Sequence, residues 1–301
     1  MARSLTLYLL GGIVLAVLVN PTTAHTNRLN MLKDKEFFVK AFEQGQIPLA
    51  IDNFKWGLRY FREVLKSLPG NDVTYGNEGF CYYYLGQYSQ AITSYQKAMA
   101  INPLYYAFHW DVGVISFQLG NYQDAIRFFA NSLKLIPGIL EYYKQLEVKL
   151  RSINRDDLSY LIVILKDRTR NDEEDAYVLL SKCYYLSKDM AKMRETLREG
   201  ISKYPSSGAL NREMGIAFYA MGQTKPAVVY LTQAVALDQY DEEAYSYRAI
   251  CFNKLGDDKR ALEDHQRFIN LTSLPKDRKG VHKKEFKLHL NSERMILEYK
   301  I

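Results

Sequence analysis

Glycines 86 and 120 stand 34 residues apart, glycines 222 and 256 stand 34 apart, and Gly120 to Gly222 is a step of 102, three times 34. Pro69, Pro103, Pro137 and Pro205 fall on the same ladder, and Ala91, Ala125, Ala227 and Ala261 keep one further position on it. The stretch Asp72 to Tyr105 displays the unit. Gly79, Ala91 and Ala98 are small, Tyr75, Tyr82 and Tyr95 are large, Leu85-Gly86 divides the stretch and Pro103 closes it. This pattern predicts two amphipathic helices joined by a short turn, the small residues allowing close approach and the aromatics filling the space between. One such pair cannot bury its apolar face alone, so stacked copies must share a continuous core. The fold expected is all-α, an α-solenoid of antiparallel helix pairs with roughly six to seven 34-residue repeats and a C-terminal capping helix.

On these residues the chain resembles the tetratricopeptide-repeat family, whose units ask for Gly/Ala, aromatic, Ala, aromatic, Ala and Pro in order. Units 72–105 and 106–139 match well, and 208–241 and 242–275 match moderately. Unit 140–173 is degenerate, with Glu147 at the first small position and Asn171 in place of the proline, and 174–207 has Met193 at the small position of its second helix. Segment 38–71 is a degenerate first repeat acting as an N-terminal cap, because Pro48 falls where its first helix should run. The resemblance covers roughly 240 of 301 residues. It implies a right-handed solenoid whose first helices line a concave groove.

Both ends stand outside the array. Arg3 is followed by an uncharged run from Leu5 to Val19 and then by Asn20-Pro21-Thr22-Thr23-Ala24. That is the layout of a secretory signal peptide, and an uncharged run of 15 residues is short for a spanning anchor. Residues 1–24 are expected to be a signal peptide, or a short membrane anchor if uncleaved. The chain would then be exported, to the periplasm if bacterial and to the secretory pathway if eukaryotic. Residues 25–37 form a polar leader, Glu36 to Gln44 suits a helix ended by Gly45 and Pro48, and Leu49 to Leu68 suits a longer one. Segment 276–301 carries eight Lys/Arg and four acids and reads as a basic capping helix over the last repeat, with a possible contact to a membrane surface.

Carried over from the family, the groove would be lined by Phe80, Tyr83 and Tyr84, by Trp110, Val114 and Phe117, and by Tyr185 and Tyr219. Lys144, Arg151, Lys182 and Arg212 would add positive charge for an acidic partner. One subclass clamps a terminal carboxylate with Lys and Asn, and Phe80 and Val114 stand where that Asn is needed. Apolar side chains the packing does not require mark a binding surface. The run Leu161 to Leu165, apolar all round, is expected to be buried more deeply in a distorted repeat.

No phosphate loop, dinucleotide fingerprint, H-E-x-x-H, C-x-x-C or G-x-S-x-G is present. No histidine pairs with another His or a Cys at metal-ligand spacing, and His109 and His265 fall at packing positions. Catalytic residues, metal and cofactor are all expected to be absent, and no small-molecule substrate is expected. A net charge of +6 is too small to argue for nucleic acid. Cys81, Cys183 and Cys251 are separated by 102 and 68, so each takes position ten of its unit, a small buried position. They are expected to be three separate thiols. The function expected is a non-catalytic exported scaffold that binds a peptide or protein in its aromatic groove and assists assembly of an envelope or secretory complex. The alternative is a structural assembly protein that self-associates, or sits on a membrane surface, through its convex face and basic C-terminal helix.

Overall fold

The computed structural model describes residues 9–10, 13–14, 47–67, 69–152 and 156–273. Contacts divide the chain into two compact units, Met1–Phe54 and Lys55–Ile301. In the first, β1 (Leu9–Leu10) pairs antiparallel with β2 (Ile13–Val14), Leu9 opposite Val14 and Leu10 opposite Ile13. The remaining residues of the expected signal peptide, the leader, the helix expected over 36–44 and the capping segment 276–301 lie outside the described residues.

Among the described residues eleven helices follow. They are α1 (Ile47–Ser67), α2 (Asp72–Tyr84), α3 (Tyr88–Ile101), α4 (Tyr106–Gln118), α5 (Tyr122–Ser152) and α6 (Asp156–Leu186). Then come α7 (Met190–Lys203), α8 (Gly208–Ala220), α9 (Thr224–Leu237), α10 (Glu242–Lys254) and α11 (Asp258–Thr272). Pro48 falls in the first turn of α1, where its missing N–H forfeits no intrahelical bond. Side-chain caps start many of the others. Asn71 Oδ1 accepts from Thr74 N at 2.7 Å, Ser207 Oγ from Leu210 N at 3.1 Å and Asp241 Oδ1 from Ala244 N at 2.9 Å.

The glycine ladder is a ladder of turns. Gly86, Gly120, Gly222 and Gly256 have φ of 72°, 76°, 73° and 75°, the left-handed conformation that lets a helix end and the chain reverse. Lys188, one step of 34 before Gly222, takes the same conformation at φ 62° without being glycine, which costs about 1 kcal/mol. Close approach explains the other glycines of the motif. A Cβ on Gly113 would meet Phe129 at 2.7 Å, and one on Gly215 would meet Leu231 at 2.6 Å.

The expected boundaries at 139/140 and 173/174 are not helix ends. α5 and α6 are each 31 residues, about 46 Å of helix. α5 runs through Pro137, whose predecessor Ile136 is fully buried and so held in the helix despite the proline. α6 meets Asn171, not proline, and nothing stops it. Leu133 of α5 packs on the cluster around Tyr177 and Val178 of α6. The Tyr106 hydroxyl of α4 donates to Asp172 at 2.6 Å. Unit 174–207 therefore stacks directly on unit 106–139. Unit 140–173 extends both long helices as an antiparallel hairpin. Along it Tyr143, Leu146 and Leu150 pack against Ile162 and Leu165, and Lys166 donates to Glu147 at 2.9 Å. Ile162 and Leu165 are thus buried as the apolar run requires, and Val163 is exposed.

Cys81, Cys183 and Cys251 are all buried as free thiols. Burial pushes each thiol above its usual range, Cys183 to about 12. Thiolate is the reactive form, so at neutral pH all three should be inert. A thiol reagent should label none in the native chain and three in denaturant without reductant. Two thiols lost from the denatured count would mean a disulfide and would break the shared register.

Candidate functional site

The expected lining residues separate into three groups. Phe80, Tyr83, Tyr84 and Phe117 are half-buried on α2 and α4. The rings of Phe80, Tyr83 and Tyr84 form a cluster, Phe80 to Tyr84 at 4.7 Å and Tyr83 to Tyr84 at 5.0 Å, the Tyr83 hydroxyl donates to Gln118 at 2.8 Å, and Phe117 meets Tyr122 at 6.0 Å. Trp110 and Val114, on the same helix as Phe117, are 1% and 2% exposed, so they are core and present no surface, contrary to expectation. Trp110 packs edge-on at 5.6 Å against Phe129 of α5, whose ring in turn lies against Gly113. Lys144 and Arg151 are exposed on the hairpin extension, not on the row of first helices.

The positive groove is also corrected, because internal carboxylates neutralise it. Lys144 pairs with Glu141 at 3.7 Å and Arg151 with Glu147 at 2.6 Å. Lys182 pairs with buried Glu213 at 3.2 Å. Arg212 meets Glu213 at 3.0 Å, Asp241 at 2.7 Å and Glu243 at 3.3 Å. Burial works against the Arg212 charge, and the three carboxylates outweigh it, so its pKa lies above the usual value. Burial raises the Asp241 carboxyl, and Arg212 only partly offsets that.

A continuous open face remains on α6, α8 and α10, the first helices of three successive units. Tyr185 is 37% exposed and is followed by exposed Leu186. Tyr219 and Tyr247 meet edge to face at 5.7 Å, and Lys254 Nζ sits 4.2 Å from the centre of the Tyr219 ring. Burial raises the Tyr247 phenol, helped by Tyr185, Glu243, Glu213 and Tyr219 nearby. Ile250 is exposed one turn before Lys254.

Models of the tetratricopeptide repeat match residues 73–105 and 175–207. The fold is a tetratricopeptide-repeat solenoid. In sequence the chain is 24% identical over 217 residues to Hsp70-Hsp90 organizing protein 3 of Arabidopsis thaliana, covering 69% of this chain and 37% of that protein. It is 24% identical over 92 residues to small glutamine-rich tetratricopeptide repeat-containing protein 2 of Saccharomyces cerevisiae, covering 31% of this chain and 27% of that one. The chain thus spans 37% and 27% of the length of these two relatives. Among solved structures it is similar to PilW, a widely conserved type IV pilus biogenesis factor, with a TM-score of 0.55 at 14% identity over 82% of this chain and 96% of that one. It is also similar to Pseudomonas aeruginosa pilF, with a TM-score of 0.56 at 11% identity over 87% and 99%. At these identities the likeness speaks for the fold alone.

Within the tetratricopeptide array, three residues of the open face escaped the sequence reading. The lining positions expected from the resemblance end in unit 208–241 and omit 242–275. The same positions there are those of Ile250 and Lys254. Tyr247 stands at none of the lining positions, and its ring contact with Tyr219 brings it to the face. His109 is half-buried beside Phe128, and burial lowers its pKa against a hydrogen bond to the Pro103 backbone. His265 is exposed, not packed, because no following unit among the described residues covers α11.

Proposed function

We propose that the chain is a non-catalytic scaffold that holds a peptide or an extended protein segment against the face of α6, α8 and α10. The observation that carries this reading is the open tyrosine row Tyr185, Tyr219 and Tyr247 on a rigid stack of helices. Residues fixed by packing before a partner arrives lose little entropy when it binds. Tyrosine supplies large amphipathic contact area with few rotatable bonds. Among the described residues no group of His, Cys, Asp and Glu is placed to hold a metal ion, and no helix is long and apolar enough to cross a membrane. The exported role in envelope or secretory assembly rests on the run Leu5 to Val19 and the small residues after it.

Panning a display library of short random peptides against the full chain tests the binding role. The wild type should enrich binders, and a Tyr185→Ala/Tyr219→Ala variant with an unchanged melting temperature should not. Equal enrichment by both would remove this face as the site. Recovery of the full chain from the cytosolic fraction of its own cell would remove the exported part.

One observation favours self-association as a second reading. On α11, Leu262 is 68% and Ile269 43% exposed, and His265 is open where Tyr95, Phe129 and Leu231 of other units are fully buried. This is the face of a repeat that expects a neighbour. Segment 276–301, expected to cover it, lies outside the described residues. A light-scattering mass of a dimer that Leu262→Glu converts to a monomer would support this second reading.

A further inference from the structure

The cations of the α6–α8–α10 face are not equivalent. Glu213, Asp241 and Glu243 are all taken up by Lys182 and Arg212. Lys254 has no carboxylate within ion-pair distance among the described residues, and its ammonium rests on the Tyr219 ring 4.2 Å from the centroid. A ring face attracts a cation but occupies only one side of it, leaving ammonium donors turned outward. The hydroxyls of Tyr185, Tyr219 and Tyr247 likewise have no hydrogen-bond partner among the described residues, although Tyr219 and Tyr247 are half-buried. Exposed Leu186 and Ile250 flank this polar set, and Ala220, between Leu186 and Lys254 in the 34-residue register, projects only a methyl group. The face thus combines one uncompensated positive charge, three phenolic groups able to donate or accept, and apolar surface on either side.

We propose that this face takes a peptide segment carrying a side-chain carboxylate beside an apolar residue, the carboxylate on Lys254 and the backbone on the tyrosine hydroxyls. The inference rests on the peptide-binding reading and adds its chemistry. A basic segment is disfavoured by the same charge: it would bring a second cation to Lys254, and every nearby carboxylate already has a partner. A carboxylate meets an ammonium that pays little to rearrange, because the aromatic ring already holds it. The tyrosine hydroxyls suit backbone amides and carbonyls, which every peptide carries, so they supply affinity without selecting sequence.

The test uses the full chain and two sets of short dye-labelled peptides of Leu, Ala and Ser. The sets are identical except for one central glutamate or glutamine, and binding is read by fluorescence anisotropy. The glutamate set should bind about two- to fivefold more tightly, the range of one exposed charge pair. The difference should narrow as salt is raised. Lys254→Gln, at an exposed position, should abolish the preference and leave the glutamine set unchanged. Tyr219→Phe and Tyr247→Phe should weaken both sets together. Equal binding of the two sets by the wild type would overturn the proposal, as would a preference that survives Lys254→Gln or tighter binding of an arginine-containing set. These results leave the peptide-binding reading intact. If no peptide set binds at all, that reading falls as well. A dimer whose interface covers Lys254 would also overturn the proposal, since a second copy would then be the occupant.

Discussion

Replacing Trp110 with alanine will destabilise the array by about 3–5 kcal/mol, the cost of emptying a large aromatic site in a packed core. Trp110 is 1% exposed and seats its ring edge-on against Phe129, whose own ring fills the space that the missing side chain of Gly113 leaves open. The surrounding helices cannot collapse into the gap, since Phe129 and Ile115 are themselves fully buried and hold their places. In a unit of this size the melting temperature should fall by about 10 °C. A position that lined a groove would instead lose binding and keep its melt. Phe117→Ala, half-buried on the same helix, is the control and should cost distinctly less. A Trp110→Ala variant within 1 kcal/mol of the wild type in denaturant unfolding would place the indole at the surface and refute the packing described.

Arg212→Ala is expected to cost about 3 kcal/mol or more, because removing one partner leaves buried charge uncompensated. Glu213 keeps Lys182 at 3.2 Å, so the damage falls on Asp241, whose contact with Arg212 is the shortest of the three. Asp241 also caps α10, accepting from Ala244 N, and asparagine can make the same bond without the charge. The double variant Arg212→Ala/Asp241→Asn should therefore be more stable than Arg212→Ala alone. A pH dependence follows. Burial already raises the Asp241 carboxyl, so the folded state holds its proton more tightly than the unfolded chain. A raised carboxyl gains relative stability as pH falls through its folded pKa, and the deficit of Arg212→Ala should shrink on acidification. A deficit independent of pH, unrelieved by Asp241→Asn, would mean that Arg212 acts through packing of its stem rather than its charge.

Much of the architecture could be read from local chemistry. A turn that ends a helix with positive φ selects glycine at the turn itself, so Gly86, Gly120, Gly222 and Gly256 announce their turns without reference to anything distant. A helix pair in close contact selects small residues at the contact, so the alanines and the three cysteines show which positions are inside. Lys188 is the instructive exception. The ladder demands a turn there, and stacking holds the lysine in a conformation its side chain disfavours.

The candidate site was less legible, because side chains far apart in sequence decide it. Trp110 stands at a lining position by register, yet Phe129 and the helices around it close over the ring. Lys182 reads as free positive charge until the next unit brings Glu213 beside it, and Arg212 until Asp241 of its own unit and Glu243 of the next close on it. Lys144 and Arg151 leave the row because α5 and α6 run through the expected turns and carry them onto a hairpin. By itself the sequence determined the repeat length, the turns and the inward positions, since each depends on contacts within one unit. The tertiary structure alone decided which junctions fuse into long helices, which aromatics remain open and, on the α6–α8–α10 face, which cation has no counter-charge among the described residues. Those outcomes depend on how neighbouring units bury and neutralise one another, and a period of 34 carries no record of that.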